Sequence, residues 1–200
     1  LSTDYVFDGT KPSAYLETDV PAPRSVYGAS KLEGERLVAT ATANHAIFRT
    51  AWVYSPHGRN FVKTMLRLGE TRDTLSVVAD QQGCPTSAAD IARALITAAR
   101  QMLADPDPRY RGLFHLAGAG QASWAEFAAH IFKAAECFGR APVAVLPIET
   151  RDYPTPARRP ANSRLNSDKL AAIYGITLPD WQASTDQVLA TILGQAESDT

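Results

Sequence analysis

An α/β fold with mainly parallel strands is what this sequence predicts, on three observations. Short apolar runs (IFRTAWV, LSVVA, LFHLAG, VAVLPI) alternate with longer stretches rich in Ala, Leu, Glu and Lys, the pattern of βαβ units. Turn signals such as Asp8-Gly9, Ser55-Pro56-His57-Gly58 and ADPDPRYRG fall between those runs. And a chain of 200 residues can bury roughly 70% of its extended surface, enough for a substantial core.

The elements follow in order. Leu1 to Phe7 reads as the end of a buried strand, stopped at Asp8-Gly9. TKPSAYLETDVPAPRS has no steady period and is expected to be a long ordered loop; loops beyond ~12 residues in a compact domain are often functional. Helical spacing runs from Val26 to Ala43, with Ser25 as cap and Gly28 weakening the first turn. Ile47 to Val53 is a strand, Asn60 to Leu68 a helix, and Leu75 to Ala79 a short strand. DQQGCPTS is read as a turn, with Thr86 or Ser87 capping the helix in AADIARALITAARQML. LFHLAG is a strand, and Ser123 with Glu126 forms a capping box before WAEFAAHIFKAAECF. VAVLPI is a strand, ETRDYPTPARRPANSRL a second Pro-rich loop, and short helices near Ser167–Tyr174 and Trp181–Leu193 complete the chain. The tail GQAESDT is expected to fray.

Composition excludes several functions. A net charge of -1 offers no basic field for nucleic acid or anionic lipid. No apolar stretch approaches the ~20 residues that cross a membrane. Cys84 and Cys137 make neither a disulfide scaffold nor a zinc knuckle and suit a reducing cytoplasm. His45, His57 and His130 lack metal-like spacing, and His115 reads as a hydrogen-bonded core residue. No metal site is assignable.

The pair with chemical potential is Tyr27 and Lys31 in YGASK, one helical turn apart. A phenol near pKa ~10 works as an acid/base at neutral pH when a neighbouring ammonium stabilises its phenolate. A surface helix carrying Tyr and Lys is the plain alternative. Ser2, Thr3 and Asp4 lie where a strand should end, the side of an open α/β sheet on which ligands bind. Thr3 supplies a hydroxyl and Asp4 an acceptor; a local turn satisfied by these side chains is the other reading.

STDYVFDG, YGASKLEGE and FRTAWVYS together, followed by DQQGCPTSAADIA, GLFHLAGAGQASWAEFA and RRPANSRLNSDKL, resemble the extended short-chain dehydrogenase/reductase family over Leu1 to about Leu170. The likeness is to the branch that reduces the C4 carbonyl of dTDP-4-dehydro-L-rhamnose with NADPH or NADH. It implies that Tyr27 protonates the carbonyl oxygen, that Lys31 tunes Tyr27 and meets the cofactor with it, and that Thr3 orients the same oxygen. It further implies substrate contacts at Asp4 and Trp52, packing being the plain alternative for Trp52, and Arg49 as a structural group. Gln82 and Thr86 of DQQGCPTS can hydrogen-bond a ligand, and the guanidiniums of Arg158 and Arg159 suit the diphosphate of such a substrate, with a solvated basic loop as the other reading. The resemblance also implies a homodimer in some members, with Mg²⁺ at the interface in a few. A nucleotide-sugar 4-epimerase or dehydratase, or a non-catalytic binding subunit on the same fold, shares these features.

The Gly-rich strand-turn-helix that receives a dinucleotide pyrophosphate is not found in the sequence, and LAGAGQAS comes too late to be it. The expectation is therefore a partial Rossmann-like sheet at 1–55, lacking its nucleotide-binding strands, and a mainly substrate-binding region at 56–200 with one strand near 113–117 returning to the main sheet. Such a chain is expected to be inactive alone and to associate through an open sheet edge.

Overall fold

The computed structural model describes residues 1–153 and 159–194. Strand β1 (Ser2–Thr3) is shorter than the apolar pattern through Phe7 suggested, because Thr3 diverts the chain. Its hydroxyl accepts from the Tyr5 N–H at 3.2 Å and caps a single 3-10 turn, Asp4–Val6. A side chain that captures a neighbouring N–H competes directly with the sheet ladder.

Helix α1 (Val26–Ala41) starts at Ser25, whose Oγ accepts from the Gly28 N–H at 3.1 Å. The expected strand through Val53 is split into β2 (Ala46–Thr50) and β3 (Val53–Tyr54). The break is at Trp52, whose φ of 46° lies in the left-handed region, a costly place for a bulky residue. Helix α2 (Phe61–Gly69) and strand β4 (Thr74–Val78) follow. DQQGCPTS is more than a turn: it forms β5 (Gln82–Gly83) and β6 (Thr86–Ser87), and Ser87 starts α3 (Ala88–Ala104) without a side-chain cap. Then come β7 (Gly112–His115), β8 (Ala122–Ser123) and α4 (Trp124–Ala135), where Ser123 and Glu126 make the reciprocal capping box. Strand β9 (Ala144–Ile148), α5 (Asp168–Tyr174) and α6 (Trp181–Gly194) complete the described elements.

The main sheet has the order β1-β2-β7, all parallel, with Ser2 opposite Arg49 and Arg49 opposite His115. Because alternate side chains of a strand face opposite sides, β2 and β7 present two different surfaces. Phe48 and Phe114 point into an apolar layer with Ile91 and Ala98 of α3 and Leu170 and Tyr174 of α5. Arg49 and His115 point the other way, toward α1 and the first loop. Parallel pairs β3–β6 and β4–β9 and the antiparallel pair β5–β8 form smaller sheets. The second core lies among α2, α4, α6 and β4, centred on Val62, Phe127, Ile131 and Leu189.

The two Pro-rich loops tie one another down. Tyr15 and Arg164 share a main-chain bond of 2.8 Å, and Asn162 Nδ2 donates to the Lys11 and Ser13 carbonyls at 2.6 and 2.8 Å. Gly9 has φ +77°, and a Cβ there would come within 2.2 Å of the Pro160 Cβ, so only glycine serves.

Candidate active site

Thr3, Asp4 and Tyr27 reach one region because α1 docks on the turn that ends β1. The close approach requires Gly28: a Cβ at that position would lie 2.1 Å from the Tyr5 carbonyl oxygen. The glycine that weakens the helix in sequence terms thus sets its distance from the strand end. Tyr27 stands edge-on to Tyr5, ring centroids 6.0 Å apart at 74°, and remains 56% exposed. One turn later, Lys31 Nζ donates to the Leu1 carbonyl at 2.6 Å, which brings the ammonium to the beginning of β1.

Below them the same stripe of α1 continues to Glu35, four residues beyond Lys31. Glu35 is buried and takes a fork of two bonds from Arg49, Nε to Oε1 at 2.8 Å and Nη2 to Oε2 at 2.6 Å. The Ser2 hydroxyl also donates to Glu35 Oε1. Arg49, 2% exposed, lies 4.9 Å over the Phe7 ring. This polar bridge joins α1 to β1 and β2, and it is the feature that sequence reasoning missed; the continued four-residue spacing in YGASKLEGE was its available signal.

Beside Arg49 sits His115, fully buried, with Nδ1–H donating to the Tyr15 carbonyl at 3.1 Å and Nε2 without a partner among the described residues. Burial first, and the Arg49 charge second, push the His115 imidazole down to about 4. The unfolded chain, with an ordinary pKa near ~6.5, binds the proton more readily. Stability tied to neutral His115 is therefore present above ~6.5 and lost as pH falls through about 4, about 3 kcal/mol in all. Urea unfolding at acid and neutral pH checks this: a His115→Gln chain is expected to lose less stability on acidification than the native chain.

Asp4 is 3% exposed, and its Oδ1 accepts from the Thr3 hydroxyl at 2.9 Å. Burial pushes its carboxyl up to about 7, against the hydrogen bond from Thr3 that pulls the other way. A cleft of about 380 Å³ opens next to this turn, lined by Tyr5, Asp8, Arg24, Ser25 and Arg159. A larger cavity of about 830 Å³ is walled by Phe61, Leu75, Val77, Trp124 and Tyr153. Arg159 lines both. Arg158 lies outside the described residues.

The remaining expected contacts are placed differently. Trp52 is stacked on Trp124, centroids 3.5 Å apart and 5° from parallel, and its Nε1 donates to Ser163 Oγ at 2.9 Å. It lies so close to Gly83 that a Cβ there would come within 2.2 Å of the indole. Its stacking partner is thus another tryptophan, and it is Trp124 that lines the large cavity. Gln82 holds the second loop through its main chain, its N–H to Ala161 and its carbonyl to Ser163, each at 2.8 Å. Thr86 departs from the sequence expectation. It is 1% exposed, and its hydroxyl donates to the Cys84 carbonyl at 2.9 Å while accepting from the Gly118 N–H at 3.1 Å, leaving it a structural brace. Among the described residues, no group of three or more His, Cys, Asp or Glu is arranged to hold a metal ion, and no helix is long and apolar enough to cross a membrane.

A parallel sheet whose first strand ends in a hydroxyl, beside a helix carrying Tyr and Lys one turn apart, is the arrangement expected of the short-chain dehydrogenase/reductase class. Within that class the chain belongs to the RmlD substrate binding domain family, whose model matches residues 1–193. It is 56% identical over 193 residues to a dTDP-4-dehydrorhamnose reductase of Sinorhizobium fredii, covering 96% of this chain and 65% of that protein. A reductase of the same name from Escherichia coli is 46% identical, covering 94% and 63%. Among solved structures, the dTDP-4-dehydrorhamnose reductase of Clostridium acetobutylicum superposes with a TM-score of 0.86 at 40% identity, covering 96% of this chain and 64% of that one. The Bacillus anthracis enzyme in complex with NADP gives 0.85 at 38% identity, covering 95% and 64%. The chain thus spans just under two thirds of the length of these relatives.

Proposed function

We propose that the chain is the substrate-facing part of a reductase that converts the C4 carbonyl of dTDP-4-dehydro-L-rhamnose to the alcohol of dTDP-L-rhamnose, with NADPH or NADH as reductant. One observation carries this reading. The Tyr27–Lys31 stripe of α1 is docked along residues 1–5, with Lys31 bonded to the Leu1 carbonyl before β1, the Tyr27 ring against Tyr5 just past it, and Thr3 in the strand between them.

A half-exposed Tyr27 and a Lys31 directed to the start of β1 fit the nicotinamide side of such a site. A bound reduced nicotinamide supplies the hydride. Tyr27 gives its phenolic proton to the carbonyl oxygen, and the Lys31 charge stabilises the phenolate left behind. Thr3 hydrogen-bonds the same oxygen and so favours the negative charge that develops on it. Arg159 is suited to a diphosphate by its planar fork, and its position between the two cavities supports a sugar in the smaller one and a nucleoside against the apolar wall of the larger. The reading extends to a cytoplasmic enzyme, supported by two free cysteines, and to a homodimer on the family likeness alone.

The test is an assay of the whole protein with dTDP-4-dehydro-L-rhamnose and each nicotinamide cofactor. Stoichiometric cofactor oxidation with formation of dTDP-L-rhamnose is expected. Interconversion of sugars without net oxidation of cofactor would instead mark an epimerase, and no turnover a binding subunit.

A further inference from the structure

The hydrogen bonds already made by Thr3 conflict with the task given to it. A hydroxyl has one proton and two lone pairs. The Tyr5 N–H, 3.2 Å away, uses one lone pair, and the proton is directed to Asp4 Oδ1 at 2.9 Å. The second lone pair alone is left for a ligand. A carbonyl oxygen is itself an acceptor, so a Thr3 held in this state repels the group it should bind.

The surroundings of Asp4 offer the resolution. Its Oδ2 is buried without a hydrogen-bond partner among the described residues, and a bare anionic oxygen in that position is expensive. Its titratable neighbours are Tyr5 and Cys84; the cations near them, Arg159 and Arg164, act on those two groups. A proton on Asp4 Oδ1 reverses the Thr3–Asp4 bond. The acid O–H then donates to Thr3, and the Thr3 proton is free for an acceptor on the substrate.

We propose that Asp4 works as a neutral carboxylic acid, a positioning residue that turns the Thr3 hydroxyl into a donor toward the substrate carbonyl oxygen. The inference rests on the reductase reading and deepens it. The proton that ends on the product alcohol still comes from Tyr27; Asp4 and Thr3 each keep their own. Burial, which pushes the Asp4 carboxyl up to about 7, supplies the neutral form near neutrality. Ionisation of Asp4 turns the hydroxyl back, and the rate falls with it.

The experiment is the pH dependence of kcat/KM for carbonyl reduction by the whole protein, native and Asp4→Asn. The native rate is expected to fall about tenfold per pH unit above the Asp4 pKa, the fraction of neutral acid being what declines. The asparagine amide donates to Thr3 at every pH, so this limb is expected to vanish in the variant, whatever the height of its pH-independent rate. A merely structural aspartate would lower the rate without moving the limb. A limb unchanged in the variant, or absent from the native protein, overturns the proposal. Absence of reduction by the native protein at any pH is a different result and overturns the reductase reading itself. A second measurement does not depend on the variant folding: infrared spectra of native protein labelled with ¹³C-aspartate. A protonated carboxyl stretch is expected at about pH 6 and should be lost by about pH 8.5; no such band at about pH 6 also overturns the proposal.

Discussion

Replacing Tyr27 by Phe is expected to lower kcat/KM for carbonyl reduction by about 10²–10⁴-fold, the range typical of a lost general acid. The substitution removes one oxygen and little else. The ring of Tyr27 keeps its edge contact with Tyr5 at 6.0 Å, and the residue is 56% exposed, so the folded state loses almost no buried surface. Thermal unfolding of the variant should therefore match the native chain within about 0.5 kcal/mol, as for other surface substitutions. Steady-state kinetics on the whole protein, set beside that unfolding curve, separates chemistry from folding. A variant with near-native kcat/KM would remove Tyr27 from the acid role.

Glu35→Gln should show the opposite pattern, with its largest effect on stability. It leaves the Arg49 guanidinium 2% exposed and facing an amide instead of a carboxylate. Removing one partner of a buried pair costs about 3–5 kcal/mol because the other charge stays desolvated. For a chain of 200 residues this lowers Tm by roughly 6–20 °C. The double variant Glu35→Leu with Arg49→Met removes both charges, and much of the loss should be recovered, since an apolar pair of similar volume replaces the bridge. Denaturant unfolding of the three chains decides the matter; a single variant within about 1 kcal/mol of native would show that water, not Glu35, satisfies Arg49. Because Glu35 lies on the same stripe as Tyr27 and Lys31, a loosened bridge should also let α1 shift against β1.

Much of this molecule is legible in one dimension. The alternation of apolar runs and helical stretches announces the α/β class, since local periodicity needs no partner to be read. The capping box at Ser123 and Glu126 appears as expected, being a contact across three residues. Tyr27 and Lys31 share a face because helical geometry alone puts them there.

What the sequence left open depends on contacts between distant segments. The strand at Leu1–Phe7 stops at Thr3 because a side chain outcompetes the ladder, and nothing in an apolar pattern records that contest. Thr86 looks like a ligand-binding hydroxyl until Gly118, brought in from beyond α3, occupies it. Trp52 finds Trp124 across more than seventy positions of chain. Gly28, which propensity marks as a weakness, is required by the Tyr5 carbonyl against which α1 docks. Residue identity and short-range period were enough for the class of fold and for the chemical types at the site. Which of those groups are already satisfied and which stay open to a ligand emerges on folding, since hydrogen bonds and burial are properties of pairs that the folded chain brings together.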